Sequence, residues 1–243
     1  MDSDAKGQFP PTDWTLISRL RSRRESVAHA ALEELCERYH YPLYCFIRRR
    51  GLAHHDAQDA LHDFLAKLLR NHSLKTTREE SGSLRGFLCM ALSRFLANRH
   101  RDRANERLEV SLDALREVAA AEDRFQREHL TDEDTPERVF ERKWAQELLR
   151  HVLRQMEDVY RKRGRLPLYR ALRPVVLAGG SLAGEDIAAL ADSLGMSPGA
   201  LRTALSRFLD RYRALIRQEV GQTIGAGGDV EAELACLAAA FRE

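Results

Sequence analysis

No run of apolar residues in this sequence approaches the length of a bilayer-spanning helix, and no stretch alternates apolar with polar residues as a half-buried strand would. Aromatic side chains are scarce, at 7% of the chain, a proportion that suits a soluble helical protein. The four cysteines, Cys36, Cys45, Cys89 and Cys236, lack paired spacing, which excludes a cysteine zinc site and a disulfide framework. Three of them fall within apolar helical patterns, where a thiol behaves as a small hydrophobe. There is no Gly-x-Ser-x-Gly elbow, no glycine-rich phosphate loop beside a strand and no internal repeat. The carboxylates between Glu122 and Glu137 lack the apolar surroundings that would raise a pKa for acid–base work. These absences set aside membrane proteins and the common nucleophilic enzymes. The expectation is a cytoplasmic, all-α protein without enzymatic activity, metal or cofactor, its 243 residues sufficient for two small domains.

What the chain does have is charge sorted by position. The formal net charge of +2 conceals seven acids against two arginines between Glu122 and Glu137. Between Arg161 and Arg173 there are six cations and no acid, and between Leu201 and Arg217 five arginines and one aspartate. Local basic patches beside an acidic connector suit a polyanion binder.

Taken in order, residues 1–11 (MDSDAKGQFPP) are expected to form a disordered leader, and a helix begins near Trp14 with Leu16, Ile17 and Leu20 on its apolar side. A long helix from about Glu25 carries Ala28, Leu32, Leu35, Tyr39, Leu43 and Phe46 on one face, with a kink expected at Pro42. Arg48-Arg49-Arg50-Gly51 ends it, read as a solvated run of cations at the negative helix terminus. A helix over about 55–70 faces Ala57, Ala60, Leu61, Phe64, Leu65, Leu68 and Leu69 inward, and Asp56, Asp59 and Asp63 form an acidic stripe on another side. After a polar loop near 71–82, a further helix buries Phe87, Leu88, Leu92 and Leu96 and becomes densely basic at Arg94, Arg99, His100, Arg101 and Arg103. These elements make a first domain over 12–105. Residues 106–134 read as a solvated acidic linker, with a short helix around 112–121. The second domain spans 135–224, begins at Thr135-Pro136-Glu137, and is followed by a hinge and short apolar helix over 225–243. Leu234, Leu237 and Phe241 of that helix are expected to cap the second domain.

Residues 184–217 read as a helix-turn-helix. Ile187, Leu190, Ala191 and Leu194 give a first apolar face, and Gly195 supplies the freedom a sharp bend needs. Ser197 caps the next helix and Pro198 occupies its first position. Leu201, Leu205, Phe208 and Leu209 form the buried stripe of the second helix, leaving Arg202, Thr203, Ser206, Arg207, Arg211 and Arg213 outside. Ala191, Gly195 and Leu201 hold the spacings of DNA-binding helix-turn-helices, and the outward groups could read bases and hold phosphates.

In this order and spacing the pieces resemble bacterial RNA polymerase sigma factors of the extracytoplasmic-function (ECF) group, compact members of the sigma-70 family. The resemblance covers nearly the whole chain after the leader. It rests on Asp56-Ala57-Gln58-Asp59-Ala60-Leu61-His62-Asp63-Phe64, on Leu84-Arg85-Gly86-Phe87, on the basic run from Arg94 to Arg103 and on the helix-turn-helix. Segments FLANRHRDRA, TPERVFERKWA and GQT are similar to those of sigma factors abundant in planctomycetes. His62 stands where the family usually has glutamine, Asn98 where it often has aspartate, and the helix after Gly228 exceeds the minimal architecture. The resemblance implies that Asp56, Asp59, His62 and Asp63 dock on the clamp helices of the polymerase's largest subunit. It implies that Arg94, Asn98, Arg99, His100, Arg101 and Arg103 engage the −10 element and its non-template strand. Ser197, Gly199, Arg202, Thr203, Ser206, Arg207 and Arg211 would then meet the −35 element. The implied partners are core RNA polymerase, promoter DNA and an anti-sigma factor, in the cytoplasm and, as holoenzyme, on the nucleoid.

The alternatives are a stand-alone helix-turn-helix regulator, which leaves the acidic stripe and the 94–103 helix unused, and a helical nucleic-acid enzyme, which no spacing of acids supports. His54, His55, Asp59 and His62 could be read as a metal cluster, but no cysteine completes it and a polar patch explains them better. The arginines at 161–165 read as a solvated helix end that could still touch phosphates.

Overall fold

A computed structural model describes residues 16, 19, 20, 22, 24–70, 83–102, 114–127, 134–182, 186–224 and 228–241. Among the described residues there are nine α-helices and no strand, only an isolated bridge between Ser83 and Ile224. The helices are α1 (Glu25–Arg49), α2 (His54–Arg70), α3 (Leu84–Asp102), α4 (Ala114–Arg127), α5 (Pro136–Lys162), α6 (Leu166–Leu177), α7 (Ile187–Ser193), α8 (Pro198–Gln222) and α9 (Val230–Ala239). None is long and apolar enough to cross a membrane. The expected leader 1–11, the helix start at Trp14, the loop 71–82 and most of the hinge before α9 lie outside the described residues.

The chain divides into two compact units, Met1–Glu147 with Val220–Glu243, and Leu148–Glu219. The expected spans, 12–105 and 135–224 around a linker at 106–134, are drawn differently here. The first unit takes α4, the opening turns of α5 and the C-terminal helix. Side-chain chemistry explains why.

In the first unit α1 packs on α2 and α4, and α2 on α3. Tyr39 to Ile47 are all buried, so α1 is covered on every side in this stretch rather than along one stripe. Phe46 meets Phe140 of α5 edge-on, centroids 6.4 Å apart. α1 continues through Pro42. The arginines that close α1 are not the solvated run expected of them. Arg48 pairs with Glu122 of α4, and its guanidinium lies 4.7 Å from the Phe125 ring centroid. Arg49 donates from Nε and Nη2 to the Asp134 carbonyl at 3.0 and 2.7 Å, and Arg50 reaches Glu137 at 2.8 Å.

The acidic connector is likewise not wholly solvated: Asp123 and Arg127 are exposed, but Glu122, Arg124 and Asp134 are engaged. Glu122 accepts hydrogen bonds from Tyr44, Arg48 and Gln126. Burial would raise its pKa, but those donors and the Arg48 charge outweigh it and bring it down to about 2. Arg124 pairs with Glu147 and stacks over Tyr41, 3.6 Å from the ring centroid. Asp134 is buried, its carboxylate held by Arg142 at 2.6 Å. Of the segment read as a tether, Ala114–Arg127 is thus a helix, tied by Glu122 to α1 and by Arg124 to α5.

The C-terminal helix is fastened in the same unit. Asp229 caps its first turn, accepting from the Glu231 and Ala232 amides. Buried Glu233 receives Arg85 through Nε at 2.6 Å and Nη2 at 3.0 Å, while Arg85 Nη1 reaches Glu141 at 2.6 Å. The Arg85 guanidinium also lies 4.9 Å from the Trp144 ring centroid. The Leu84 amide donates to the Thr223 carbonyl at 3.0 Å. The expectation that α9 caps the second domain is therefore corrected, because its charged anchor sits at the start of α3. Phe241 stays exposed.

The second unit closes around Met156, Tyr169, Leu172, Val175, Leu182, Ala191, Leu201, Leu205 and Phe208. Tyr169 donates to the Leu153 carbonyl at 2.9 Å, which satisfies its hydroxyl within the core.

The buried charges of the first unit can be tested by titration and by substitution. His40 is 6% exposed, and its sealed Nε2 has no hydrogen-bond partner among the described residues. Burial, reinforced by His62, pushes its pKa from 6.5 down to about 4. Above pH 6.5 the ring is neutral whether the chain is folded or not. Below it the unfolded chain takes up a proton that the folded one refuses, so stability falls by about 1.4 kcal/mol per pH unit until pH nears 4. His62, also lowered by burial, acts in the same direction. Denaturant titrations across that window should show this slope and His40→Leu should flatten it. At the tail, Glu233→Ala leaves Arg85 buried with Glu141 alone and should destabilise the first unit by about 3 kcal/mol. Limited proteolysis should then cut near 225–228 faster than in the parent chain.

Candidate nucleic-acid interface

Three surfaces carry the expected contact residues, two in the first unit and one in the second. On α2, Ala57, Ala60, Leu61, Phe64, Leu65 and Leu68 are buried, which turns Asp56 and Asp59 outward on the opposite side. Asp63 is 44% exposed at its side chain and stands 3.6 Å from Nη1 of Arg99 on α3. His62 does not share their exposure. It is half-buried, its Nε2 is sealed without a hydrogen-bond partner among the described residues, and burial lowers its pKa against the pull of Asp59 and Asp63. The acidic ridge is therefore the three aspartates, with His62 turned partly into the protein.

On α3 the expected contact residues separate into two groups. Arg94 and Asn98 are exposed. Arg99 is half-buried against Asp63, and Phe95 lies beside Phe64, centroids 5.7 Å apart, with the Lys67 ammonium 5.5 Å from its ring. His100 and Arg101 continue the helix backbone, their side chains outside the described residues, as is Arg103 altogether. The Asp63–Arg99 contact joins the acidic ridge to the basic helix, so two surfaces read separately from sequence share one pair. A half-exposed pair of this kind contributes at most about 1 kcal/mol.

Of the histidines considered as metal ligands, His54 is engaged elsewhere. His54 shares a 2.8 Å hydrogen bond with the Tyr44 hydroxyl through Nδ1 and a 2.9 Å one with Gln58 through Nε2. Among the described residues no group of three or more such side chains is placed to hold a metal.

In the second unit, α7, a tight turn and α8 follow one another as the sequence suggests. The Asp186 carboxylate caps α7 by accepting from the Ala189 amide at 3.0 Å. Leu194 and Gly195 close it with backbone bonds to Ala191 and Asp192, and the Met196 amide returns to the Ala191 carbonyl at 3.0 Å. Gly195 has φ 63°, the left-handed conformation that this reversal needs. Ser197 Oγ accepts from the Ala200 amide at 3.2 Å and starts α8, with Pro198 in the first turn. Ala191, Leu201, Leu205 and Phe208 lock the two helices into the core. Gly184 and Glu185 lie outside the described residues.

This packing leaves Ser197, Gly199, Arg202, Thr203, Ser206, Arg207 and Arg211 exposed. The Thr203 hydroxyl donates to the Gly199 carbonyl at 3.1 Å, which fixes its rotamer and leaves its lone pairs outward. Thr203, Arg207 and Arg211 recur every four residues, a rise of about 6 Å per step along one face. Arg202, Arg207 and Arg211 make no ion pair among the described residues, whereas Arg213 stands 3.5 Å from Asp210. A row of unneutralised guanidinium groups on a rigid helix can hold phosphates, and its N-terminal polar groups can reach base edges.

The contacts that sequence reasoning missed are structural: Tyr44, Arg48 and Glu122 together, Arg85 with Glu233, and buried His40. Arg48 and Glu122 stood out in the sequence only as solvated charges, and Arg85 as part of a resemblance rather than as a charge to be buried.

Comparison of the chain with protein-family models, curated proteins and solved structures finds no match. The turn itself yields a test. A Cβ on Gly195 would meet nothing within 4 Å, so Gly195→Ala should cost only the left-handed backbone, about 1–2 kcal/mol, read as a lower denaturation midpoint of the second unit.

Proposed function

We propose that this chain is a promoter-recognition subunit of bacterial RNA polymerase, a sigma factor of the ECF group that binds core polymerase and directs it to −35 and −10 elements. The observation that carries the reading is the sorting of charge. Open arginines line α8 in the second unit, a basic α3 carries exposed Arg94 and Asn98 in the first, and the aspartates of α2 face outward beside it. A single-surface DNA binder has no use for the second and third of these. On this reading, Arg202 and its neighbours on α8 enter the major groove at the −35 element, where one bidentate arginine–guanine contact contributes about 1–3 kcal/mol of discrimination. Arg94, Asn98, His100, Arg101 and Arg103 hold the −10 strand by phosphate and base contacts as the duplex opens. Asp59 and Asp63 meet the positively charged clamp helices of the polymerase, which sets the rate and register of docking more than its strength. Asp63 must then exchange Arg99 for a partner on the polymerase, or bind with Arg99 attached. An anti-sigma factor is a further expected partner, and the protein works in the cytoplasm as a subunit without catalysis of its own.

The test is reconstitution. Pull-down with core polymerase at low salt, followed by runoff transcription from genomic fragments, should give specific start sites, and failure to bind core overturns the reading. Asp59→Lys with Asp63→Lys should lose core binding while circular dichroism stays helical. Tight, sequence-specific duplex binding by the protein alone, with no retention of core polymerase, would instead favour a stand-alone regulator.

A further inference from the structure

The second unit carries a cationic feature that the reading above leaves unused. α5 ends at Lys162 and the chain turns through Arg163, Gly164 and Arg165 before α6. The turn is fixed by its own backbone. The Arg163 amide donates to Val159, Gly164 to Arg161 and Arg165 to Tyr160, at 3.2, 3.0 and 2.8 Å, with Gly164 at φ 67°. It is also keyed to α8 through aromatic rings. Tyr160 lies 5.4 Å from Phe208 and 6.0 Å from Tyr169, and Tyr169 is 5.9 Å from Phe208. Arg211 follows Phe208 by less than one helical turn, so it projects near the same end of Tyr160. Electrostatics agrees with this placement: burial raises the pKa of the Tyr160 hydroxyl, while Arg211, Arg165 and Arg163 all pull it down.

All three arginines are exposed, and none is ion-paired among the described residues. Arg161, in the same run, differs because Glu157 and Asp158 take up its guanidinium. Arginine cannot shed its proton at any ordinary pH, so a rigid surface that gathers three such charges repels itself until an anion arrives. Fixed guanidinium forks match phosphate oxygens. Arg211 is also the last member of the Thr203–Arg207–Arg211 row, so the cluster continues the α8 surface rather than standing apart from it.

We propose that Arg163, Arg165 and Arg211 form a phosphate-binding site that takes the DNA backbone flanking the bases approached by the first turns of α8. The inference rests on the reading of α8 as a DNA-contacting helix, and it adds the turn between α5 and α6 as a second, sequence-independent hold on the duplex.

The experiment uses the full chain and a short fluorescent duplex of mixed sequence, with anisotropy titrations at a series of salt concentrations. Arg163→Gln with Arg165→Gln should reduce the slope of log K against log salt by about 2, near 0.9 for each phosphate no longer neutralised, and Arg211→Gln by about 1. Arg161→Gln, whose charge is already paired, should leave the slope unchanged. If the parent chain and Arg207→Gln differ as the α8 reading requires while the 163/165 variant keeps the parent slope, this inference fails alone. If the parent binds no duplex at low salt, or Arg207→Gln has no effect, the α8 reading fails and the inference with it. If the 163/165 variant keeps its DNA slope but loses capture by core polymerase, the cluster is a protein contact, which also overturns the inference.

Discussion

A guanidinium sealed from water must find counter-charge inside the protein, and Arg85 finds its bidentate partner 148 residues away in Glu233. Three separated stretches meet at this one side chain: the start of α3, the first half of α5 through Glu141 and Trp144, and α9. Beside the backbone bond from Leu84 to Thr223, Arg85 is the side chain that ties the last helix to the first hundred residues. With it, the membership of the first unit follows, because a buried ion cannot be left half-compensated without a cost of several kcal/mol. Glu122 plays the same part for α4, and Asp134 for the approach to α5.

Two groups of arginines stand out among the described residues, and composition does not distinguish them. Arg48, Arg49, Arg50, Arg85, Arg124 and Arg142 are committed to carboxylates, carbonyls and rings within the first unit. Arg202, Arg207 and Arg211 of α8, with Arg163 and Arg165, are exposed and without ion pairs among the described residues. A near-neutral total therefore says little about what a partner meets. The surface potential is set by the cations left over after structural pairing, which among the described residues include Arg94 in the first unit as well as these five in the second.

Most of the helices were legible because their signals are local. Thr135-Pro136, Ser197-Pro198 and the glycine at 195 act within a few residues of themselves, and the structure uses them where the sequence marks them. The outward row on α8 was legible for the same reason, since one apolar stripe determines which residues face away. The pairings were not legible. Arg48 with Glu122 and Arg85 with Glu233 connect residues 74 and 148 positions apart, and no periodicity encodes such a choice. An acid-rich, weakly periodic stretch looks solvated unless its cations are known, which is why 106–134 read as a tether although Glu122, Arg124 and Asp134 are pinned. His62 looked like part of the acidic ridge because it sits between two aspartates in sequence, but one step along a helix turns a side chain by about 100°, enough to bring it under cover.

The division of the chain at Glu147–Leu148 and Glu219–Val220 bears on the order in which the protein is made. A chain grows from its N-terminal side, so the first unit lacks Glu233 until the whole of Leu148–Glu219 has been made. Every residue of the second unit emerges before that carboxylate does. The ordinary sequence of events in a growing chain, first module finished first, is thereby inverted. The internal module can mature while its host is still waiting for the charge that completes it.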